Sequence, residues 1–205
     1  MKRELHVISN GKLSFSQMAT IAAEIVDYVD YIHIRERNKT TKELYEGVML
    51  LIQSGIPPSK LVINDRIDIA LLTGVNRVQL GYTSADVRII KDRFPQLHVG
   101  CSVHSLEEAL CKQQEGADSA LYGHIFATRS KAGVPPRGLE ELQEIATTLT
   151  IPVTAIGGII PTRVKAVFGT GASGVAVMSS IWDANHPLEA VKEYEKQIQR
   201  WGEGQ

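Results

Sequence analysis

The stretch His98 to Tyr122, HVGCSVHSLEEALCKQQEGADSALY, carries the pattern that decides the fold. It opens on one short apolar-rich run, His98–Ser102, and closes on another, Ser119–Tyr122. Between them Ser105-Leu106-Glu107-Glu108 has capping-box spacing: a serine hydroxyl and a glutamate three residues on each take the other's backbone N–H at a helix start. Strand, helix, strand with nothing longer in between implies a crossover joining parallel strands.

The unit repeats along the chain. Further strand candidates are Leu5–Ile8, Tyr31–Ile34, Leu61–Asn64, Arg77–Leu80, Val153–Ile156 and Gly174–Val177, eight in all with the two above. Met18, Ile21, Ala22, Ile25, Val26 and Val29 recur at helical spacing, with Ser16 expected as N-cap. Thr40-Thr41-Lys42-Glu43 is a second capping box, and Pro161 and Pro187 sit where a first helical turn tolerates proline. Eight such units in 205 residues predict one α/β domain, a (β/α)8 TIM barrel over residues 1–205. An open doubly wound sheet is the other architecture with this alternation, but no Gly-x-Gly-x-x-Gly follows the first strand.

Composition narrows the function. Apolar residues make up 43% and charged residues 22% of the chain, the net charge is -1 and the pI is about 6.6. That balance argues against a nucleic-acid or anionic-membrane footprint. No apolar run approaches the roughly 18 residues of a membrane span. Met1-Lys2-Arg3 is basic, but Glu4 and His6 interrupt the apolar segment a secretory signal needs, so the expected compartment is the cytoplasm. Cys101 and Cys111 lie outside any metal-ligand spacing and are expected to be free, buried thiols. Trp182 and Trp201 could serve the core or the interface of a homo-oligomer, and core packing is expected.

A barrel of this kind places its site at the carboxyl ends of the strands. In Tyr31–Arg37 the period of two puts Ile32 and Ile34 towards the helices and turns His33, Arg35 and Arg37 to the mouth. Arg35 presents a permanently charged planar fork for carboxylate or phosphate, or pairs with Asp65. Asn64-Asp65 ends the third strand, either as polar site residues or as the cap of the helix after Arg66. Ser84 is expected to cap the next helix, Ser102 to face the mouth, and His104 to be a packed or capping histidine. Gly157-Gly158 lets backbone approach a ligand closely, and with the backbone at Val177, Met178 and Ser179 makes a neutral phosphate cradle. In Leu121–Lys131 a strand ends at Gly123-His124 and enters a loop, Phe126 to Arg137, expected to act as a lid, with Thr128 and Lys131 facing an anion. His124 is the candidate acid/base near neutral pH.

Taken together, His33–Arg37, Asn64-Asp65, Gly100–Ser102, Thr128–Lys131, Ala155–Ile159 and Gly174–Ser179 resemble the thiamine phosphate synthase superfamily, itself a family of (β/α)8 barrels. Its synthase branch joins a pyrimidine pyrophosphate to a thiazole phosphate with magnesium. The chain departs from that branch at three places. His33 stands for a glutamine before Ile34-Arg35-Glu36-Arg37, Tyr82-Thr83-Ser84 lacks an acid, and Gly123-His124 replaces Gly-Pro.

These departures are similar to the TenI-type branch. That resemblance implies a thiazole tautomerase, an isomerase of thiamine biosynthesis. It would convert a 2-carboxy-thiazole phosphate tautomer into aromatic 2-(2-carboxy-4-methylthiazol-5-yl)ethyl phosphate with no metal or cofactor. His124 would be base and acid, His33 a second relay, and Arg35 or Lys131 the carboxylate partner. Two other readings remain open: the magnesium-dependent synthase, marked by coupling of the two precursors, and a non-catalytic regulatory protein, marked by ligand binding without turnover.

Overall fold

Eight parallel strands close on themselves in sequence order in the computed structural model, which describes residues 3–203 and so leaves Met1-Lys2 of the basic start outside. The strands are β1 Glu4–Ile8, β2 Tyr31–Ile34, β3 Leu61–Asn64, β4 Arg77–Leu80, β5 His98–Val103, β6 Ser119–Gly123, β7 Val153–Ile156 and β8 Gly174–Val177. The helices are α1 Phe15–Ile25, α2 Thr41–Gln53, α3 Ile67–Thr73, α4 Val87–Arg93, α5 Leu106–Gln114, α6 Gly138–Thr148, α7 Val164–Gly169, α8 Ser179–Trp182 and α9 Pro187–Glu203. β1 pairs with β8 through Glu4–Gly174 and Val7–Val177, and this pairing closes the sheet. The architecture is the single-domain (β/α)8 barrel that the strand spacing predicted.

The period of two decides what lies on each side. Leu5, Val7, Ile32, Ile34, Ile63, Val78, Val99 and Val175 point outward and pack beneath the helices in one continuous core. The barrel's inner face is different. A small apolar cluster of Ile8, Leu121 and Ala176, with Ile156, sits towards the carboxyl ends. Much of the remaining interior is polar, with His33, Gln79 and Thr154 buried. Gly100 leaves room there for the Gln79 amide crossing from β4, which a Cβ at that position would push aside. No helix among the described residues is long and apolar enough to cross a membrane.

Several local expectations shift. Ser14, not Ser16, caps α1, because its hydroxyl accepts from Gln17 N and the Gln17 side chain returns the bond. The box at Thr40 forms in full, whereas at Ser105 only the serine half forms: its hydroxyl accepts from Glu108 N, and the Glu108 carboxylate takes the His104 N–H instead. Asp86 caps α4 in place of Ser84, whose hydroxyl turns to Asp65 instead. Trp182 is buried and donates from Nε1 to Ile8 O over 2.8 Å, and Trp201 packs against Phe168. Both cysteines are free, but only Cys101 is buried; Cys111 is exposed because the face of α5 that carries it turns outward.

Burial pushes the Cys101 thiol up to about 12. The thiolate is the reactive form. Exposed Cys111 is therefore expected to react with a thiol reagent in the folded protein, and Cys101 only on unfolding. Mass spectrometry after timed labelling with and without urea reads this, and equal labelling of both in the native state would contradict the placement.

Candidate active site

The carboxyl ends of the strands bring together most of the residues that the sequence singled out. Asn64 and Asp65 end β3. Asp65 holds φ of 61°, a left-handed conformation that Asp tolerates better than most side chains. It does not cap α3, whose start at Arg66 has no side-chain cap. Its side chain instead reaches the β4–α4 loop. Oδ1 accepts from Gly81 N over 3.1 Å and from the Ser84 hydroxyl, and Gly81 N also donates to Ser84 Oγ over 2.6 Å. A left-handed backbone whose side chain is held by two hydrogen bonds from a neighbouring loop marks a candidate site.

Beside Asp65 opens a cavity of about 250 Å³, lined in part by Gly81, Tyr82, Ser84, Ser102, Glu108 and Lys112. Tyr82 is 88% exposed on its rim. Ser102 accepts a hydrogen bond from Gln79 Nε2 at 3.2 Å.

Arg35 follows β2 with its backbone N–H donating to Ser9 Oγ at 2.8 Å. Burial lowers the guanidinium's pKa, and the neighbouring Arg37 charge lowers it further, while Asp65 and Glu36 act in the opposite direction. Arg37 lies exposed at the entrance. The two cations and Asp65 therefore share one side of the mouth.

His33 is placed differently from the expectation. It points inward with Arg35, but one layer deeper, and is fully buried within the barrel. Its Nε2 lies 3.0 Å from His6 Nδ1, and His6 Nε2 lies 3.1 Å from Glu4 Oε2. Glu4 and His6 escaped the sequence reading. The signal was present in β1, where outward Leu5 and Val7 leave Glu4, His6 and Ile8 on the inner face.

Desolvation is the largest cause holding His33 well below the usual histidine range, followed by the charge of His6. His98, bonded to Ser119 Oγ at 3.2 Å, is lowered chiefly by burial as well. Both lose stability to protons in the same direction. The unfolded chain binds a proton near the usual value of about 6.5 and the folded chain does not, so their contribution is full above that pH and lost as pH falls below it. Melting temperature is expected to fall between about pH 7 and pH 5, and His33→Gln to flatten that fall. A calorimetric pH series that is equally steep in the variant would contradict this.

The opposite side of the mouth is the β6–α6 loop. The Gly123–His124 peptide is cis. His124 is 7% exposed, and its Nε2 lies 3.2 Å from Val134 O in the loop that folds over it. The loop is closed further by Arg137 N donating to His124 O and Gly138 N to Ile125 O. Thr128 caps a short 3-10 turn, Arg129–Lys131, and Lys131 is exposed.

Gly157 and Gly158, with φ of 105° and 63°, pack against this loop. A Cβ on Gly157 would strike the backbone and Cβ of His124, and one on Gly158 would strike the carbonyls of Phe126 and Ala127. The close approach these glycines permit is thus to the protein's own lid. Val177 and Met178 lie beside them through the Ile156–Ala176 pairing, and Ser179 opens α8.

A closed (β/α)8 barrel whose mouth carries arginines, a lysine, a held carboxylate and glycine turns has the chemistry to receive a phosphorylated anion. The family model for thiamine monophosphate synthase matches residues 5–181, and the chain belongs to that family. Thiamine-phosphate synthase of Pyrococcus abyssi is 34% identical over 199 residues, 97% of this chain and 96% of that protein. The Anaeromyxobacter dehalogenans protein of the same name is 39% identical over 188 residues, 91% of this chain and 83% of that one. The solved structure of thiamine phosphate pyrophosphorylase from Pyrococcus furiosus superposes with a TM-score of 0.82 at 31% identity, covering 97% and 96% of the two chains.

These likenesses correct one expectation. The similar proteins are synthases, which are transferases, so the isomerase reading as a thiazole tautomerase is not upheld. The structure supplies a physical companion to that correction. The His124 imidazole is covered by the lid and directed at a peptide carbonyl.

Proposed function

We propose that this chain is a thiamine-phosphate synthase, joining a pyrimidine pyrophosphate to a thiazole phosphate. The observation that carries the reading is identity of 34% with a protein of that name over 97% of this chain. In such a transfer the bond between carbon and the pyrophosphate oxygen breaks, its electron pair leaves with the pyrophosphate, and the thiazole nitrogen lone pair forms the new bond. No proton changes place, so the chemistry asks for positioning and charge stabilisation rather than for a general base.

Arg35 and Arg37 suit the pyrophosphate, since a guanidinium fork pairs two oxygens at once. Lys131 and Thr128 on the lid, with backbone at Gly157, Gly158, Val177, Met178 and Ser179, suit the thiazole phosphate. Asn64 and Ser102 contribute polar contacts from the mouth's floor. His124 has no acid–base task here, and its hydrogen bond to Val134 O keeps the lid in place.

The synthase branch uses magnesium. No group of three or more His, Cys, Asp or Glu side chains that could hold a metal comes together among the described residues. Magnesium is commonly held by one or two carboxylates together with substrate phosphates and water. Asp65 fits the one-carboxylate case: Gly81 and Ser84 occupy Oδ1 and leave Oδ2 for a cation. When bound, the ion would neutralise charge gathering on the leaving pyrophosphate. Ser84 lies where the synthase motif has an acid, so this chain relies on Asp65 for that ligand. The free cysteines suit a reducing compartment, which favours the cytoplasm.

The test is direct. Purified protein is incubated with both precursors and magnesium, and thiamine phosphate and pyrophosphate are measured. Magnesium-dependent, equimolar formation of the two is expected; no coupling would remove the reading.

A further inference from the structure

Two buried polar atoms on the barrel's inner face have no partner: His33 Nδ1 and Asn64 Oδ1. The Asn64 side chain lies close enough to the His33 ring to oppose the lowering of its pKa. The other end of His33 is committed to the file His33 Nε2, His6 Nδ1, His6 Nε2, Glu4 Oε2, with links of 3.0 and 3.1 Å. This file runs from the amino end of β1, where Glu4 reaches solvent, to the underside of the mouth.

The hydrogens along the file are not independent. The Glu4 carboxylate can only accept, so His6 Nε2 carries a hydrogen. A neutral His6 then has a bare Nδ1, and His33 must donate to it from Nε2. That leaves His33 Nδ1 bare and in need of a donor. The Asn64 amide provides one when its nitrogen, not its oxygen, faces the ring, and the two arrangements differ only by a flip of the amide. One hydrogen bond, Asn64 Nδ2–H to His33 Nδ1, then satisfies the buried ring nitrogen and frees Asn64 Oδ1 from its buried position.

We propose that Glu4 and His6 are positioning residues that act through His33. They hold it in the Nε2–H tautomer, and the tautomer fixes the Asn64 amide with its oxygen turned to the substrate. The recognised feature is therefore a hydrogen-bond donor on the ligand.

The neighbours are consistent with this assignment of the proton. The Tyr31 ring meets His6 edge-on at 4.9 Å, and Arg77 from β4 lies over Tyr31 at 4.3 Å. Arg77 and burial both oppose charge on His33, and His98 from β5 feels the same arginine. The carboxylate of Glu4 faces His6 alone of the imidazole pair. The part of this inference that concerns substrate rests on the synthase reading, and the tautomer part does not.

Long-range proton–nitrogen NMR of uniformly 15N-labelled protein reads the hydrogen on each ring nitrogen of His6 and His33. In the neutral state of His6, which the same spectrum reports, His33 is expected to show Nε2–H with a bare Nδ1. In Glu4→Gln, whose amide can donate as well as accept, His33 becomes a mixture of tautomers. The kcat/KM for coupling then falls by roughly tenfold, the lower range for loss of a supporting hydrogen-bond partner. His6→Leu is the second variant and releases the same lock. Nδ1–H on His33 beside a neutral His6, or a His33 tautomer unchanged in both variants, would overturn the proposal. Absence of coupling by the wild-type protein would instead strike the synthase reading and leave the tautomer result standing.

Discussion

Asp65→Asn is expected to lower kcat/KM for coupling by about 10²-fold or more, with a fold that stays intact. The size follows from what is removed: the charge that would hold a cation at a leaving pyrophosphate, where such stabilisation is worth several kcal/mol. The fold is spared for a separate reason. Asn keeps an oxygen for the Gly81 N–H and Ser84 hydroxyl that now go to Oδ1, and it tolerates the left-handed backbone at φ of 61°. Steady-state coupling rates across a magnesium series, with a melting curve as control, check both halves. Turnover like that of the wild type would place the cation elsewhere.

Gly157→Ala is the substitution with the largest expected effect on stability, a loss of about 3 kcal/mol. Two costs add there. A φ of 105° is outside what an alanine backbone readily adopts, and its Cβ would overlap His124. For a chain of this size the melting temperature is expected to drop by roughly 6–12 °C. The consequence extends to the lid, since displacing His124 breaks its bond to Val134 O. Protease cleavage between Phe126 and Arg137 should therefore rise in the variant. A melting temperature unchanged within a degree would show that the β7–α7 turn is free to move away.

The two substitutions separate the roles that share this mouth. Asp65 is held by the neighbouring loop and, on the proposed reading, acts by charge. Gly157 carries no chemistry and acts by leaving room for the lid. On the proposed synthase reading His124 belongs with the second group, because a transfer that moves no proton makes no use of an imidazole that faces a peptide carbonyl. The lid's cations, Arg129 and Lys131, remain exposed at the edge of the site.

Much of the fold was legible because it is local. Apolar runs bounded by turns, the capping box at Thr40 and the serine cap at Ser105 record hydrogen bonds made within a few residues. Five strands begin and end where the runs do, and the other three extend by one residue. Local competition explains the errors. Ser14 and Ser16 flank the same helix start, and only Ser14 finds a glutamine three residues on to complete the box. Ser84 had a cap's composition, but Asp65 offered its hydroxyl a charged acceptor from another loop.

The sequence by itself determined the barrel, because period two in eight short runs leaves one side of each strand for the helices, and parallel crossovers close the ring. It also determined which residues stand at the carboxyl ends. Depth and partnership were decided only by the tertiary structure. The parallel pairing of β1 with β2 sets the register that joins His6 to His33, a contact across 27 positions that no spacing encodes. Tertiary packing also sinks His33 a layer below the mouth, folds a loop over His124, and leaves Asp65 holding the place where charge can be met.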